Sequence, residues 1–260
     1  MRILALNLRN YMKQTAFLAV LLLFLTASCT NSENNTIKIS NVKSETSIPL
    51  FDGAPYSLSL SVEVDWPTEA SDNVALEKIQ LLISDFMFRI STTDVNEGIK
   101  HFTSDVTAYY REENDGMAED IEDQWSFMLN WEENLEGKLL PAYNGMASYL
   151  RYLYIYSGGA HGMDSLSGKT FFLDSGDVVT EDILFTEGYE ERLTEALRAH
   201  LLDDIEYPDI LFETEITPSG NFYITQEGIT YIYQRYEVGP YAMGIIEVTV
   251  PWDEIQDILR

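Results

Sequence analysis

The chain has 260 residues, a length that fits one large domain or two small ones. Its 43 acidic and 16 basic residues give a net charge of −27, which excludes DNA, RNA and anionic lipid headgroups as favourable partners because like charges repel. A hydrophobic content of 45% and an aromatic content of 12% exclude a disordered acidic tail, and the single cysteine excludes an intrachain disulfide or a site built from several thiolates.

The first residues have the order of a secretory signal. Arg2, Arg9 and Lys13 precede an apolar run, AFLAVLLLFL, which is shorter than the roughly 20 residues of a transmembrane helix. Small residues follow this run, and Cys29 comes directly after them. The stretch L-T-A-S-C resembles the lipobox of bacterial lipoproteins, with Thr26 at a position that more usually carries leucine.

The lipobox resemblance implies that residues 1–28 are a lipoprotein signal peptide and that Cys29 is acylated. We expect residues 29–36 to be a polar, lipidated tether. Loss of the signal would remove three basic residues, leaving 13 basic against 43 acidic residues and a net charge of −30. The predicted location is extracytoplasmic, with a bacterial membrane contacted through the lipid alone. An ordinary cleaved signal that leaves a free thiol is the alternative.

The first half of the remaining chain predicts two strands followed by two helices. A strand is expected from Ile37, and Leu58–Val64 alternate with polar residues in the period of a half-buried strand. Pro67 is expected to end that second strand. Apolar residues recur at three- and four-residue steps over Asn73–Ile90 and Glu97–Glu113, which predicts helices.

The second half is richer in strands, and its aromatic residues are concentrated in them. Further strands are expected over Gln124–Trp131, Tyr143–Ser157, Phe222–Ile224, Ile229–Tyr233 and Ile245–Val250, and helices over Glu187–Leu202 and Trp252–Leu259. This order favours an α+β fold with antiparallel sheets, helices packed on one face and two sequential α/β modules.

A search for catalytic and metal-binding motifs indicates no enzyme class. The sequence has no nucleophile elbow, phosphate-binding loop, dinucleotide fingerprint or H-E-x-x-H motif. Its three histidines, His101, His161 and His200, lack the spacing of metal ligands. Pairs of acidic residues are so frequent that each is better interpreted as a solvated surface. We therefore predict a protein that is not an enzyme and that has no metal and no cofactor.

One unusual stretch is the run Y-S-G-G-A-H-G, which follows the tyrosine-rich strand. Gly158, Gly159 and Gly162 indicate backbone conformations or close approaches that a side chain would block. His161 within this run can form hydrogen bonds and titrate near neutral pH. Two interpretations stay open: a structural turn held by His161, or a binding loop that also presents Tyr156.

A second unusual stretch is the run Y-E-V-G-P-Y-A-M-G near the C-terminus. Gly239 and Pro240 predict a turn, and Tyr236 and Tyr241 are amphipathic rings that suit half-exposed surfaces. This stretch is again either a tight structural connection or a binding loop. A shared surface site is favoured if the two stretches lie side by side in the fold.

The two runs, taken in order, resemble an extracytoplasmic bacterial domain of unknown function. That domain forms the C-terminal part of RsiV-type lysozyme-sensing anti-sigma factors and accompanies the catalytic domain of PdaC-type peptidoglycan deacetylases. The supporting segments are Y-S-G-G-A-H-G, V-T-E-D-I-L-F and R-Y-E-V-G-P-Y-A-M-G. The resemblance implies that residues 139–260 form this domain and that residues 37–138 form its usual companion module.

The resemblance implies a binding or sensing module rather than either described activity. The chain has no motif for a deacetylase metal site and no predicted spanning helix of an anti-sigma factor. The expected partner is a cell-envelope ligand, such as a peptidoglycan fragment, or a cationic protein similar to lysozyme, which the negative charge would attract. The alternatives are a structural or assembly lipoprotein of the envelope and, less favoured, a glycan-acting hydrolase.

Overall fold

The computed structural model describes residues 36–117, 121, 123–204, 208–212 and 216–260, so the predicted signal peptide and Cys29 lie outside the described residues. Within these residues the chain forms β1 (Ile37–Pro49), β2 (Ser57–Ala70), α1 (Leu76–Phe88), α2 (Val95–Glu113), β3 (Trp131–Leu139), β4 (Met146–Tyr156), β5 (Met163–Phe172), α3 (Glu181–Leu184), α4 (Glu190–Asp204), β6 (Phe222–Ile224), β7 (Gly228–Tyr233) and β8 (Ile246–Pro251).

Strands β1 to β5 form one sheet in chain order. The pairs are antiparallel except β2 and β3, which run parallel with Leu58 opposite Trp131. A parallel pair needs a long crossover connection, and helices α1 and α2 lie in that connection. The predicted alternation in β2 is confirmed, because Leu58, Leu60, Val62 and Val64 are all buried.

Helices α1 and α2 pack their apolar sides on the five-stranded sheet. Ile79 and Ile83 of α1 and Phe102 of α2 are buried in the same core as the apolar residues of β2. Asp94 caps α2 by accepting a hydrogen bond from the backbone N–H of Asn96 at 2.9 Å. Arg89 ends α1 in the left-handed conformation, with φ of 58°.

Strands β6, β7 and β8 form a second, antiparallel sheet with its own core. Helix α4 contributes Leu193 and Leu197 to this core. Side chains next to β6 and β7 join the second sheet to β5. Gln234 donates to the backbone oxygen of Leu166 at 2.7 Å, and Asn221 accepts from the backbone N–H of Gly168 at 2.9 Å. The α+β prediction, with antiparallel strand pairing and packed helices, is confirmed apart from the one parallel pair, β2 with β3.

The boundary between the two cores lies later in the chain than the predicted module limit. The limit between residues 138 and 139 falls inside β3, which ends at Leu139 and pairs directly with β4 in the same sheet. The first core contains buried residues up to Leu173, and the second begins at Phe185. Among the described residues, no helix combines the length and apolar character needed to cross a bilayer.

Three local predictions were wrong. β2 continues past Pro67 to Ala70, because a bulge lets Ile39 pair with Pro67 while Lys38 pairs with Glu69. The segment Asp123–Leu129 is a 3₁₀ helix instead of a strand. The predicted C-terminal helix is a single 3₁₀ turn at Trp252–Glu254.

The five-stranded sheet has two distinct ends. The chain enters β1 at Ile37, opposite Ala70 of β2. At the other end, which we call the loop end, the residues Pro49, Ser57, Trp131, Tyr156 and Met163 mark where β1 and β4 finish and where β2, β3 and β5 begin. The first of the unusual glycine-rich stretches therefore lies at the loop end.

Candidate functional site

The first loop, residues 156–162, connects β4 to β5 at the loop end. Gly158 is buried with φ of 84°, and a Cβ at this position would lie 2.1 Å from the backbone oxygen of Met128. Only glycine fits this approach. At Gly162 a Cβ would overlap the ring of Tyr154, at 2.4 Å. The loop is thus packed closely onto the segment before β3 and onto β4.

The second loop, residues 236–244, connects β7 to β8. Tyr236 has a positive φ of 65° although it is not glycine, and its side chain is half exposed. Gly239 is buried against Met243, and Pro240 precedes the 3₁₀ turn Tyr241–Met243. Gly244 ends that turn with φ of 78°. The predicted turn is therefore formed, and it presents Tyr236 to solvent.

The two loops touch each other. The Tyr241 hydroxyl donates a hydrogen bond to the backbone oxygen of Gly162 at 2.7 Å. The rings of His161 and Tyr241 have centroids 4.1 Å apart, and those of Tyr236 and Tyr241 are 5.8 Å apart. Stretches that are separate in the sequence therefore form one aromatic surface.

The remaining residues of the first loop border this surface. Gly159 is exposed, and a Cβ there would meet nothing closer than the backbone oxygen of His161 at 3.9 Å. Tyr156 is half-buried and lies opposite Glu132 of β3 in the sheet register. Gly159 is thus the position in the first loop at which a larger residue fits most easily.

An ion pair fixes the second loop to the start of β5. The Arg235 guanidinium binds both carboxylate oxygens of Asp164, with Nε facing Oδ1 and Nη2 2.9 Å from Oδ2. Nη1 donates to the backbone oxygen of Tyr241 at 2.6 Å, and the guanidinium lies 4.3 Å from the Tyr241 ring centroid. Both side chains are mostly buried, at 18% and 13% exposed. The hydrogen bond from Arg235 lowers the pKa of Asp164 below its usual value.

His161 is held by the backbone while its ring stays exposed. Its Nδ1 lies 3.1 Å from the backbone oxygen of Gly162. Because a carbonyl oxygen can only accept, Nδ1 is the donor in this hydrogen bond. The ring also packs on Tyr241. The structural interpretation of His161 therefore agrees with the observed hydrogen bond, and its exposure also leaves a surface role open.

The side chains of the two-loop surface offer aromatic faces for stacking and polar groups for hydrogen bonding. Aromatic faces attract cations and apolar groups, and the bidentate ion pair keeps the rings in a fixed arrangement. In the described part of the chain, no three His, Cys, Asp or Glu side chains are grouped closely enough to hold a metal ion.

Sequence reasoning missed Arg235 and Asp164. Arg235 directly precedes Tyr236, and Asp164 follows Gly162 by two residues, so each flanks one of the unusual stretches. They are 71 residues apart, and nothing in a local pattern pairs them. The available signal was their opposite charge at the borders of two glycine-containing loops.

The joined sheets and the two-loop surface define an α+β protein whose candidate site lies on connections rather than on helices. Residues 182–253 match the model of the DUF3298 family, whose description is "Protein of unknown function". This match includes the second loop but not the first. No functionally curated protein matches the chain.

Two solved structures are similar to this chain. A member of the DUF3298 family from Bacteroides fragilis has a TM-score of 0.78 and 23% identity, covering 87% of this chain and 95% of its own. A DUF3298 family protein from Pseudomonas aeruginosa has a TM-score of 0.62 and 16% identity, covering 87% and 96%. The fold is thus shared over nearly all of both structures.

Proposed function

We propose that this protein is a non-catalytic, lipid-anchored extracytoplasmic binding module and that the two-loop surface is its binding site. The resemblance to the modules of RsiV-type sensors and PdaC-type deacetylases supports a role in binding or sensing at the cell envelope. The ligand would be a peptidoglycan fragment or a cationic protein similar to lysozyme.

The observation that carries the proposal is the direct contact between the two loops. The His161 and Tyr241 rings are packed together, and the Tyr241 hydroxyl donates to Gly162. Tyr236 is held in a left-handed conformation, which costs about 1 to 3 kcal/mol in a residue other than glycine and is common at functional sites. Two turns that served only to connect their own strands would not require contacts with each other.

Charge and hydrogen bonding favour binding over hydrolysis. A net charge of −30 on the predicted mature chain would steer a basic protein toward the surface. A hydrolase would need a carboxylate to act with His161, and Asp164 is the acidic residue that follows it most closely in the sequence. The Asp164 carboxylate is engaged by Arg235, which keeps it ionised and occupied.

Binding of lysozyme to the full-length chain, measured at low and moderate salt, tests the proposal. We expect salt-sensitive retention, because screening weakens attraction between exposed charges. His161→Ala should weaken binding about tenfold by removing an exposed ring. His101→Ala, which removes a histidine from helix α2, is the matched control.

Soluble peptidoglycan fragments form the second arm of this experiment. They should bind with little dependence on salt if the ligand is a glycan. Retention of neither ligand by the wild-type chain, or equal retention by His161→Ala and wild type, would contradict the assignment of the two-loop surface.

The lipid anchor is a separate part of the proposal and has its own test. Radiolabelled palmitate should be incorporated into the wild-type chain in bacterial cells and not into Cys29→Ser, because Cys29 is the single cysteine. The Cys29→Ser chain should also leave the membrane fraction. Equal labelling of the two chains would refute acylation at Cys29.

A further inference from the structure

Large apolar side chains are concentrated at the loop end of the five-stranded sheet. We call this group the loop-end patch, and each of its members is between 42% and 56% exposed. Its members are Phe51, Tyr109, Met117, Trp125, Phe127, Met163 and Tyr236. Isolated exposed apolar residues are ordinary, but a concentration at one end of a fold marks an interaction surface.

The connections of the fold explain why these residues meet. Phe51 lies in the turn between β1 and β2, and Met163 is the first residue of β5. Trp125 and Phe127 lie on the 3₁₀ segment that leads into β3, with ring centroids 6.3 Å apart. Tyr109 is near the C-terminus of α2, and its ring lies 5.8 Å from that of Trp131 at the start of β3.

The C-terminal part of α2 is held at this same end of the sheet. Arg111 donates to the backbone oxygen of Pro49, the last residue of β1, at 3.3 Å. The Tyr110 hydroxyl donates to the backbone oxygen of Leu129 at 2.8 Å, so α2 is also attached to the segment before β3. Met117, which follows α2, is thereby placed near the loop end.

The loop-end patch is continuous with the two-loop surface. Gly158 packs on the main chain of Met128, which directly follows Phe127. Tyr236 reaches the loop end through the first loop, since its ring lies 5.8 Å from that of Tyr241, whose hydroxyl donates to Gly162. The exposed rings of the segment before β3 therefore extend the candidate site along the end of the sheet.

Exposed acidic residues surround the loop-end patch. They are Asp52, Glu112, Glu113, Asp115 and Glu132. Of the arginines described at this end, Arg235 is neutralised by Asp164, and Arg111, which donates to the backbone of Pro49, leaves one positive charge among these five negative ones. An apolar centre with a negative rim is complementary to an apolar centre with a positive rim.

We propose that the loop-end patch is a docking surface for a basic protein, with Trp125 and Phe127 as its aromatic anchors. This inference rests on the proposed function and adds residues that the two loops do not contain. Aromatic side chains at the centre of an interface supply most of its binding energy, and their faces attract the cationic groups of a basic partner. A second copy of this chain is disfavoured because both copies would carry the same large negative charge.

Equilibrium binding of full-length chains in detergent tests the proposal with three probe proteins. Lysozyme and cytochrome c are basic, and α-lactalbumin is acidic.

The variants are Trp125→Ala, Phe127→Ala, His161→Ala and, as a matched control, Ile183→Ala, which removes a similarly exposed apolar side chain from α3. We expect each of the first two variants to weaken binding of a basic probe roughly tenfold to a hundredfold. Ile183→Ala should bind like wild type, and α-lactalbumin should not bind.

The outcomes separate this inference from the proposed function. Loss of binding in His161→Ala alone would leave the two-loop site standing and overturn the role of Trp125 and Phe127. Loss in Trp125→Ala and Phe127→Ala alone would support the loop-end patch and contradict the assignment of His161. Failure of wild type to bind either basic probe, or equal binding of α-lactalbumin, would overturn the basic partner. Thermal unfolding of each variant shows whether weaker binding reflects a folding defect.

Discussion

Replacing Gly158 by alanine is expected to lower the free energy of unfolding by about 3 kcal/mol. The left-handed φ of 84° disfavours any residue with a Cβ, at a cost of about 1 to 2 kcal/mol. The added methyl would also lie 2.1 Å from the backbone oxygen of Met128 and 2.9 Å from its carbonyl carbon. Overpacking against a main chain that cannot rotate away adds about 1 to 3 kcal/mol.

Gly159 supplies the matched control for this change. It is the next residue, and a Cβ there would meet no atom closer than 3.9 Å, so Gly159→Ala should change stability by about 0.5 kcal/mol or less. Urea denaturation of both variants measures the difference. Equal stability of the two would mean that the first loop is not packed on the segment before β3. The proposed continuity with Trp125 and Phe127 would then be lost as well.

Replacing Arg235 by methionine is expected to cost about 2 to 3 kcal/mol of stability at neutral pH. The change leaves the mostly buried Asp164 carboxylate without its cation and the Tyr241 carbonyl without its donor. Lys43→Met is the matched control, because Lys43 pairs with Glu63 on an exposed surface and such pairs contribute about 1 kcal/mol or less.

The Arg235 effect should depend on pH in a defined direction. Arg235 depresses the pKa of Asp164 in the folded state, so the stabilisation is complete above the unfolded pKa of about 4. It is lost as the pH falls through the lower native pKa, where Asp164 takes up a proton. Urea denaturation at pH 7 and at pH 3 should show the full difference between wild type and Arg235→Met at pH 7. The difference should be smaller at pH 3, and an undiminished one would contradict the assignment.

Local sequence patterns were sufficient to predict an element where one of its faces is buried in the core. Leu58 to Val64 alternate because β2 has one face in the core, and the apolar spacing of α1 follows from its packing on that sheet. The segment Asp123–Leu129 misled the prediction because alternating Trp125 and Phe127 resemble a strand with one buried face. Both rings are in fact half exposed, so their spacing has no relation to a core.

The long-range pairings could not be predicted from the sequence. The parallel alignment of β2 with β3 depends on how α1 and α2 return the chain, which no periodicity encodes. The contact between the two loops depends on Gln234 and Asn221 joining the second sheet to β5. Sequence reasoning could name the glycines and tyrosines of the candidate site, but not the Arg235–Asp164 pair that assembles it.

The two ends of the five-stranded sheet have a mechanical consequence. The proposed lipid attachment precedes Ile37, whereas a ligand would bind at the loop end, about 40 Å away along the 13 residues of β1. A pull between ligand and membrane would therefore run along β1. Hydrogen bonds between antiparallel strands are perpendicular to the strands, so those joining β1 to β2 would share this load as shear. Strand β1 would then carry the mechanical load as well as set the distance between the membrane and the ligand.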